Sequence, residues 1–428
     1  MKRKPAARRA PADRIPFVEG LRGVAALYVV LGHLCSMSDP SKLAGKASKA
    51  PLWFQQLIAP FGYGHLAVAA FIVISGFCLQ LSLFSHGDGR VSSVKDFFVR
   101  RAKRILPAYY ACLALSVLIA LSVTVHLPGM PFQMYLPVTQ QNVLYHVFLI
   151  HNYSPSMMYK VNGVLWSIAL EAQLYVVFPL LVASLFRIGR WWTLVLASVA
   201  ALSVLSLAPG ALKLYPWFLP LFLIGMISAH LAYRPHKYLR NSLPARILGV
   251  AFLGMLVYSL SQNWTYMVGN QSWVLPATDV LMGCWVACLC HAGAVGRPSM
   301  IVRALSWKPL LALGGFSYSL YLIHHPIQQL MFWFKPAEVG GEVGNFVYLL
   351  ATLPVILAAA WAFSLVFERP FMRRRVRPIN RRKAFVPVSL PLQSAHDPHG
   401  KKARSKSKEP KAVVRIAQAS ANSTGILN

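Results

Sequence analysis

The stretch "FVEGLRGVAALYVVLGHLCS" (residues 17–36) is an apolar run that carries an arginine and a histidine. A run of this length is enough for an α-helix to cross the hydrocarbon layer of a membrane. Arg22 and His33 lie eleven positions apart, which places them within about 20° of each other and about 16.5 Å apart along the helix axis. Because ionisable groups inside a membrane are costly and usually functional, this shared face predicts a path from one membrane edge towards a buried reaction point.

The composition of the whole chain favours the same environment. The 428 residues are 56% hydrophobic and 13% charged, whereas a soluble protein carries about a quarter charged residues. The sequence therefore predicts an all-α, polytopic membrane protein with about ten transmembrane helices. The predicted spans are 17–36, 62–84, 105–126, 163–186, 191–208, 216–233, 246–262, 276–292, 310–333 and 346–367.

The distribution of basic residues predicts the orientation of these spans. With the N-terminus placed in the cytoplasm, the cytoplasmic loops carry 15 Lys and Arg residues and the outer loops carry 6. This excess is typical of cytoplasmic loops, so we expect both termini in the cytoplasm and the protein in the inner membrane. The expected organisation is a basic N-terminal tail (1–16), a membrane domain (17–372) and a basic, disordered C-terminal tail (373–428).

The net charge of +31 does not indicate a nucleic-acid-binding protein. More than half of the excess lies in the two tails, and no basic stripe with interleaved aromatic residues lies on a soluble domain. Juxtamembrane clusters such as "RRRVRPINRRK" (373–383) are typical of contacts with anionic lipid headgroups. We therefore expect membrane lipids, and no nucleic acid, as partners of the tails.

The six cysteines all lie in or beside apolar runs, so no disulfide framework is expected. Cys284, Cys288 and His291 share one face of a predicted span and suggest a metal site. Small cysteines are common in helix packing, however, and no second helix offers a matching set of ligands. We expect no bound metal and no bound cofactor.

A carboxylate lies inside the fourth predicted span, in "LWSIALEAQLY" (165–175). Ser167, Glu171 and Tyr175 repeat every four residues and so line one helix face. A buried carboxylate needs a partner, and His33 is the expected one because both residues reach a similar depth. Asp279 lies near the outer end of its span, where a solvated carboxylate is expected.

A third polar point lies in "YSLYLIHHPI" (318–327). Helical rise places His324 at about the depth of His33 and Glu171, so three ionisable residues from three helices are expected to converge. Pro326 is expected to kink this helix and to free a backbone carbonyl.

The segment "FFVRRAKRILP" (97–107) places a basic cluster at the cytoplasmic side. Such a cluster is typical of charge that sets topology. Arg101 and Arg104, one turn apart at a helix start, could also bind the phosphates of a donor molecule. The sequence leaves both readings open.

Taken in order, these segments resemble the membrane-bound acyltransferase 3 family of bacterial O-acyltransferases, over residues 15 to 372. Arg22 and His33 match the family's basic-x10-His motif. The other matching segments are "FIVISGF" (71–77), "RRAKRILPAYY" (100–110), "LWSIALEAQLYVVFP" (165–179), "YSLYLIHHPI" (318–327) and "FERPF" (367–371).

The resemblance implies transfer of an acyl group, most simply acetyl, from acyl-CoA as co-substrate to a hydroxyl of a surface or lipid-linked carbohydrate. It implies that His33 is the general base and that Glu171 fixes its tautomer. His324 or Ser75 would polarise the carbonyl. The residues expected to hold the CoA phosphates are Arg22, Arg101 and Arg104, and those expected to support the site are Ser75, Trp166, Ser167 and Tyr175.

The sequence departs from the family pattern in two respects, and two other functions stay open. Many family members carry a hydrolase-like C-terminal domain that the sequence does not match, and His325 stands where an aromatic residue is common, so His324 and His325 both remain candidates. A proton-coupled transporter would also bury histidine and glutamate, although the inverted repeats typical of transporters are not visible. An acyltransferase acting on a small metabolite is the second alternative.

Overall fold

The computed structural model describes residues 15–44, 46–207, 214–233, 243–261, 274–295 and 300–372, and within these ranges it contains helices and no β-strand. These residues all belong to one compact unit, residues 1–374. Most of the predicted N-terminal tail and the whole predicted C-terminal tail lie outside the described residues.

The main helices follow one another along the chain. They are α1 (Pro16–Ser38), α2 (Gly64–His86), α3 (Val94–Ser122), α4 (Gln140–Val147), α5 (Leu165–Arg187), α6 (Arg190–Leu207), α7 (Phe218–Tyr233), α8 (Leu243–Ser261), α9 (Val274–Ala294), α10 (Lys308–Gly314), α11 (Ser317–Trp333), α12 (Gly341–Ala351) and α13 (Leu353–Phe363). Shorter helical segments are Pro40–Leu43, Leu52–Ile58, Ala59–Gly62, Thr124–His126, Phe132–Tyr135, His151–Tyr153, Met300–Leu305, Ser364–Glu368 and Arg369–Met372.

Seven of the described segments are long and apolar enough to cross a membrane: Pro16–Ser38, Leu52–His86, Val94–His126, Leu165–Arg187, Arg190–Leu207, Val274–Ala294 and Leu353–Met372. Two further apolar helices, Phe218–Tyr233 and Arg246–Tyr258, are shorter. The prediction of an all-α, polytopic membrane protein is confirmed.

Two of the ten predicted spans are divided rather than continuous. The ninth, 310–333, is interrupted between α10 and α11, where Gly314 and Gly315 stand together. Each glycine costs about 1 kcal/mol in a helix interior. The hydrophobic pattern does not show this cost, because the run stays apolar through both glycines. The tenth, 346–367, is interrupted at Thr352, and Pro354 lies in the first turn of α13, a position that proline favours.

Helices α2 and α7 pack closely because glycines remove side chains from their contact. A Cβ added to Gly76 would lie 2.1 Å from the carbonyl oxygen of Phe222, and one added to Gly225 would lie 2.1 Å from that of Val73. Small residues that let two backbones approach are the usual basis of helix packing in membranes. This contact holds α2, which carries Phe71 and Ser75, against the rest of the bundle.

The chain between α3 and α5 (residues 123–164, the α3–α5 connection) folds back against α3. Tyr109 donates to the carbonyl of His146 at 2.8 Å and Tyr110 donates to that of Val147 at 3.0 Å. Asn162 donates to Ser116 on α3 at 3.0 Å. The connection is therefore fixed to the membrane helix that precedes it.

Candidate active site

Helices α1, α2, α3, α5 and α11 surround a cavity, which we call the central cavity. Three arginines line one end, which we call the arginine end. Hydroxyls and a carboxylate line its middle, and apolar and aromatic side chains line the opposite end. The residues that line the central cavity include Arg22, Val68, Phe71, Ser75, Leu79, Arg101, Arg104, Ser167, Glu171, Tyr175 and Tyr321.

The arginine end is built by α1 and α3. Ser93 caps α3 by accepting from the backbone N–H of Asp96 at 3.2 Å, so Arg101 and Arg104 lie one turn apart on a continuous helix. Among the described residues, no carboxylate lies within 4.0 Å of the guanidinium of Arg22, Arg101 or Arg104. Three such guanidiniums at one end of a cavity can bind a phosphorylated ligand.

Glu171 projects into the middle of the central cavity. Its Oε1 accepts from Ser75 Oγ at 2.8 Å and from the Tyr175 hydroxyl at 2.5 Å. The predicted face shared by Glu171 and Tyr175 is confirmed. The expected partnership with His33 is wrong, because in the described structure hydroxyl groups bind this carboxylate. Helical rise gives depth but not the direction in which a side chain points.

His33 is bound by a second histidine instead. Its Nδ1 lies 3.0 Å from the carbonyl oxygen of Val29 and 3.2 Å from Nε2 of His324. Nδ1 of His324 lies 2.8 Å from the carbonyl oxygen of Tyr321 and 3.1 Å from that of Leu320, so it must carry the proton and donate.

These contacts assign the tautomers of the two neutral rings. His324 Nε2 has a lone pair, which accepts from the Nδ1–H of His33. His33 therefore carries its proton on Nδ1, and its Nε2 keeps a free lone pair. The side chain of His33 is partly exposed, whereas that of His324 is fully buried. A ring nitrogen with a free lone pair can accept a proton, and the contact with His324 fixes which nitrogen of His33 that is.

Neither residue proposed to polarise a carbonyl is free to do so in this arrangement. Both ring nitrogens of His324 are used by His33 and by backbone carbonyls. The hydroxyl of Ser75 donates to Glu171. In this arrangement the two side chains hold their neighbours, Glu171 and His33, in position.

His325 belongs to a separate hydrogen-bonded chain. Its Nε2 lies 2.8 Å from the hydroxyl of Tyr135, and its Nδ1 lies 3.4 Å from Nε2 of Gln329. Gln329 Oε1 in turn accepts from Thr124 at 3.2 Å. The rings of His33 and His325 meet edge to face, with centroids 5.0 Å apart. Sequence analysis missed Tyr135, since it lies in the α3–α5 connection, far along the chain from any motif.

The expected release of a backbone carbonyl by Pro326 is confirmed, within a helix that continues from Ser317 to Trp333. Pro326 has no N–H for the carbonyl of Leu322, four residues earlier. That carbonyl accepts from Sγ of Cys112 at 3.2 Å and from Nδ2 of Asn162 at 3.3 Å. The α3–α5 connection is thereby attached to α11 beside the histidines.

Phe71 and Tyr321 both line the central cavity, where their rings meet. Their ring centroids are 5.8 Å apart and their planes meet at 77°. The Tyr321 hydroxyl lies 2.6 Å from Ser167 Oγ, and its ring centroid lies 6.0 Å from that of His324. The spacing in the sequence could have indicated both residues. Tyr321 precedes His324 by one helical turn and Phe71 precedes Ser75 by one turn, so each lies on the same helix face as a predicted site residue.

Trp166 takes no part in the lining of the central cavity. Its ring stacks on Tyr215, with centroids 4.4 Å apart and planes 19° apart. It supports the site indirectly, by fixing the first turn of α5 beside Ser167.

The expectation of a solvated Asp279 is wrong. Its side chain is fully buried, and its carboxylate lies 2.6 Å from Nδ1 of His65 and accepts from Nε1 of Trp217 at 3.0 Å. A buried carboxylate needs such partners. The cluster joins the beginnings of α2 and α9 to the residue before α7.

Comparison with known proteins gives a family match and several relatives. A family model described as an acyltransferase domain matches residues 15–365. A Staphylococcus aureus (strain COL) protein named "Putative O-acetyltransferase" is 24% identical over 390 residues, covering 87% of this chain and 60% of that protein. O-acetyltransferase OatA of Staphylococcus aureus (strain NCTC 8325 / PS 47) is 24% identical over 397 residues, covering 87% and 59%. The chain thus spans about three-fifths of the length of these relatives. No solved structure matches it.

Proposed function

Because the chain belongs to the acyltransferase domain family whose model matches residues 15–365, we propose that it is an integral membrane O-acyltransferase. It moves an acetyl group from acetyl-CoA to a hydroxyl of a surface or lipid-linked carbohydrate. The observation that carries this proposal is the free Nε2 lone pair of His33 beside a cavity whose far end holds three arginines, none within 4.0 Å of a carboxylate of the described residues. The names of the two S. aureus relatives support acetyl as the group transferred.

The arginine end binds the donor. Arg22, Arg101 and Arg104 hold the CoA phosphates through charge-assisted hydrogen bonds. Arg22 and His33 lie about 16.5 Å apart along α1, so a long flexible arm must carry the thioester from one to the other. Glu171, on the cavity wall between them, accepts from donor N–H or O–H groups with the oxygen that Ser75 and Tyr175 leave free.

The acyl group then passes to the acceptor in one step. His33 Nε2 takes the proton of the acceptor hydroxyl, and the hydroxyl oxygen attacks the thioester carbonyl carbon. The new C–O ester bond forms, the C–S bond breaks, and the proton on His33 passes to the leaving sulfur. The products are the acetyl ester and CoA with a free thiol, and His33 returns to its starting tautomer. His324 keeps the His33 proton on Nδ1 throughout.

The donor and the acceptor reach the site from opposite sides in this proposal. The excess of basic residues in alternate loops supports cytoplasmic termini and a cytoplasmic arginine end in the inner membrane. The basic tails then lie against anionic lipid headgroups. The α3–α5 connection, which contacts His325 through Tyr135 and the Leu322 carbonyl through Asn162, faces the outer side, where the carbohydrate is found.

Mass spectrometry of surface glycans and lipids tests the function. Cells that express the wild-type chain should carry acetyl esters that are absent from cells lacking it and from cells expressing His33→Ala. The matched control is His86→Ala. His86 is the last residue of α2 and is exposed, and among the described residues its side chain hydrogen-bonds to the carbonyl of Ser82. Equal acetylation with and without the protein would contradict the proposal.

A further inference from the structure

We propose that Phe71 and Tyr321 select the transferred acyl group by its size, so that acetyl reaches His33 and longer chains do not. This inference rests on the proposed function, and it names the residues that set the donor specificity of the same site.

The position of the pair follows from the order of the lining residues along each helix. On α2 the lining runs from Leu79 through Ser75 and Phe71 to Val68, moving away from the arginine end. On α11 it ends at Tyr321, one turn before His324. Neither His33 nor His324 lines the central cavity. A thioester held from the arginine end therefore meets Phe71 and Tyr321 before it reaches the base.

The two aromatic side chains are held differently. The hydroxyl of Tyr321 lies 2.6 Å from Ser167 Oγ and 3.4 Å from the carbonyl oxygen of Val164, so its ring has a fixed position. Phe71 is partly exposed and has no polar atom to anchor it. The passage must open by movement of Phe71 against a fixed Tyr321, and its width depends on the volume of the Phe71 side chain.

Space beyond the pair is limited as well. Next to His33 the side chains of His324, His325 and Gln328 are 0%, 1% and 0% exposed. Gln328 is held there by its hydrogen bond to the carbonyl of Val30 at 3.0 Å. The acyl group is the leading end of the donor, so each methylene added to it must fit among these buried side chains. Close packing of this kind resists even small increases in volume.

The test is a competition between acetyl-CoA and butyryl-CoA. Membranes that contain the protein and its native acceptors are supplied with each radiolabelled donor, and the label is followed into products that mild base releases. One methylene is worth about 10- to 200-fold in discrimination, so the wild type should prefer acetyl by about 100-fold or more. Phe71→Ala should raise the butyryl-to-acetyl ratio of kcat/KM by about tenfold or more.

Leu79→Ala is the matched control. Leu79 lines the same cavity on the same helix, about 12 Å closer to the arginine end, and its replacement also removes apolar volume. The acyl preference of this variant should stay at the wild-type ratio. An equal rise in both variants would mean that general loosening of the bundle, rather than this pair, sets the preference.

Phe71→Leu is assayed beside Phe71→Ala, because the smaller change decides the matter if the alanine variant does not accumulate in the membrane. An unchanged ratio in a folded Phe71 variant that still transfers acetyl would overturn the inference and leave the proposed function standing. Absence of acetyl transfer by the wild type would instead overturn the proposed function.

Discussion

An imidazole is an unusual partner for a general base, because a neutral ring carries no charge with which to stabilise the imidazolium that forms. His324 fixes the tautomer of His33 through a hydrogen bond of 3.2 Å, but it offers less electrostatic support than a carboxylate would. In the proposed reaction the proton therefore resides briefly on His33 and passes directly to the leaving sulfur. The other polar groups near His33 and His324 hold side chains in position and do not supply a compensating charge.

Replacing His33 tests the base itself. His33→Gln keeps hydrogen bonding but cannot accept the proton, so it should lower kcat by at least about 100-fold, as should His33→Ala. Thermal unfolding of the purified variants should stay near that of the wild type, which separates loss of chemistry from loss of fold. Acetyl transfer at a near-normal rate by either variant would show that His33 is not the base.

Replacing His324 tests its role as a positioning residue. His324→Ala should lower kcat while leaving the KM for acetyl-CoA unchanged, because the donor is held at the arginine end. The double variant with His33→Ala should be little slower than His33→Ala alone, since residues that act as a unit are not additive. Independent losses that multiply would place His324 outside the unit.

Charge removal at the arginine end should weaken donor binding. Arg101→Ala combined with Arg104→Ala should raise the Kd of acetyl-CoA by about tenfold or more, because charge-assisted hydrogen bonds are worth about 1.5–3 kcal/mol each. Added salt should weaken wild-type binding in the same direction. Arg100→Ala is the control, because Arg100 is exposed and does not line the central cavity. Equal Kd values in all variants would leave the cluster as a signal for topology alone.

At the scale of elements, the hydrogen bond that Pro326 removes from α11 attaches one part of the chain to another. A helix without the proline would satisfy the carbonyl of Leu322 internally, and Asn162 would have one partner fewer. Because the carbonyl is free, Asn162 bridges α11 and Ser116 on α3. One missing backbone hydrogen bond in α11 thus provides a site where the α3–α5 connection docks.

A double-mutant cycle tests this attachment. Asn162→Leu should destabilise the protein by about 1–3 kcal/mol, because it leaves the buried Leu322 carbonyl with a weak thiol partner. In a Pro326→Ala background, which returns an N–H to that carbonyl, the same change should cost at least about 0.5 kcal/mol less. Thermal unfolding in detergent measures all four proteins. Additive effects would mean that Asn162 stabilises the connection through other contacts.

Much of the element order follows from sequence, because apolar length and the positions of charges are local properties. The depth of His33 and His324 also follows, because helical rise is fixed. Three features do not follow: the pairing of His33 with His324 rather than Glu171, the burial of Asp279, and the contact of Tyr135 with His325. Each depends on which helix faces are neighbours, and in a membrane protein most faces are apolar, so the hydrophobic pattern does not distinguish them.

At the scale of the whole molecule, the α3–α5 connection contains a pair of titratable groups that do not belong to a membrane-spanning helix. His146 and His151 are fully buried and stack with centroids 3.8 Å apart. Burial lowers the pKa of His146 to about 4. Burial, together with the neighbouring imidazole, lowers the pKa of His151 to about 3. Both rings are therefore neutral in the folded connection at neutral pH.

Acid should open this connection. A histidine whose folded pKa is depressed contributes its full stability above its unfolded pKa of about 6.5 and loses it as the pH falls towards the folded value. At pH 5 the loss is about 2 kcal/mol for each ring. Hydrogen exchange of residues 140–153 should therefore be faster, after correction for intrinsic rates, at pH 5 than at pH 7. His151→Phe, which keeps the stacked ring, should show about half of this pH dependence. Equal protection at both pH values would contradict the assignment.

The aromatic pair at the end of the central cavity also bears on the electrical properties of the membrane. A water-filled passage from the arginine end to the opposite face would let protons and other ions leak down the membrane potential. The rings of Phe71 and Tyr321 meet where they line the cavity, and among the described residues the neighbouring side chains of His324, His325 and Gln328 are buried. Apolar constrictions of this kind exclude water and so block ion flow. A cell can therefore keep many copies of the protein in its membrane without discharging it.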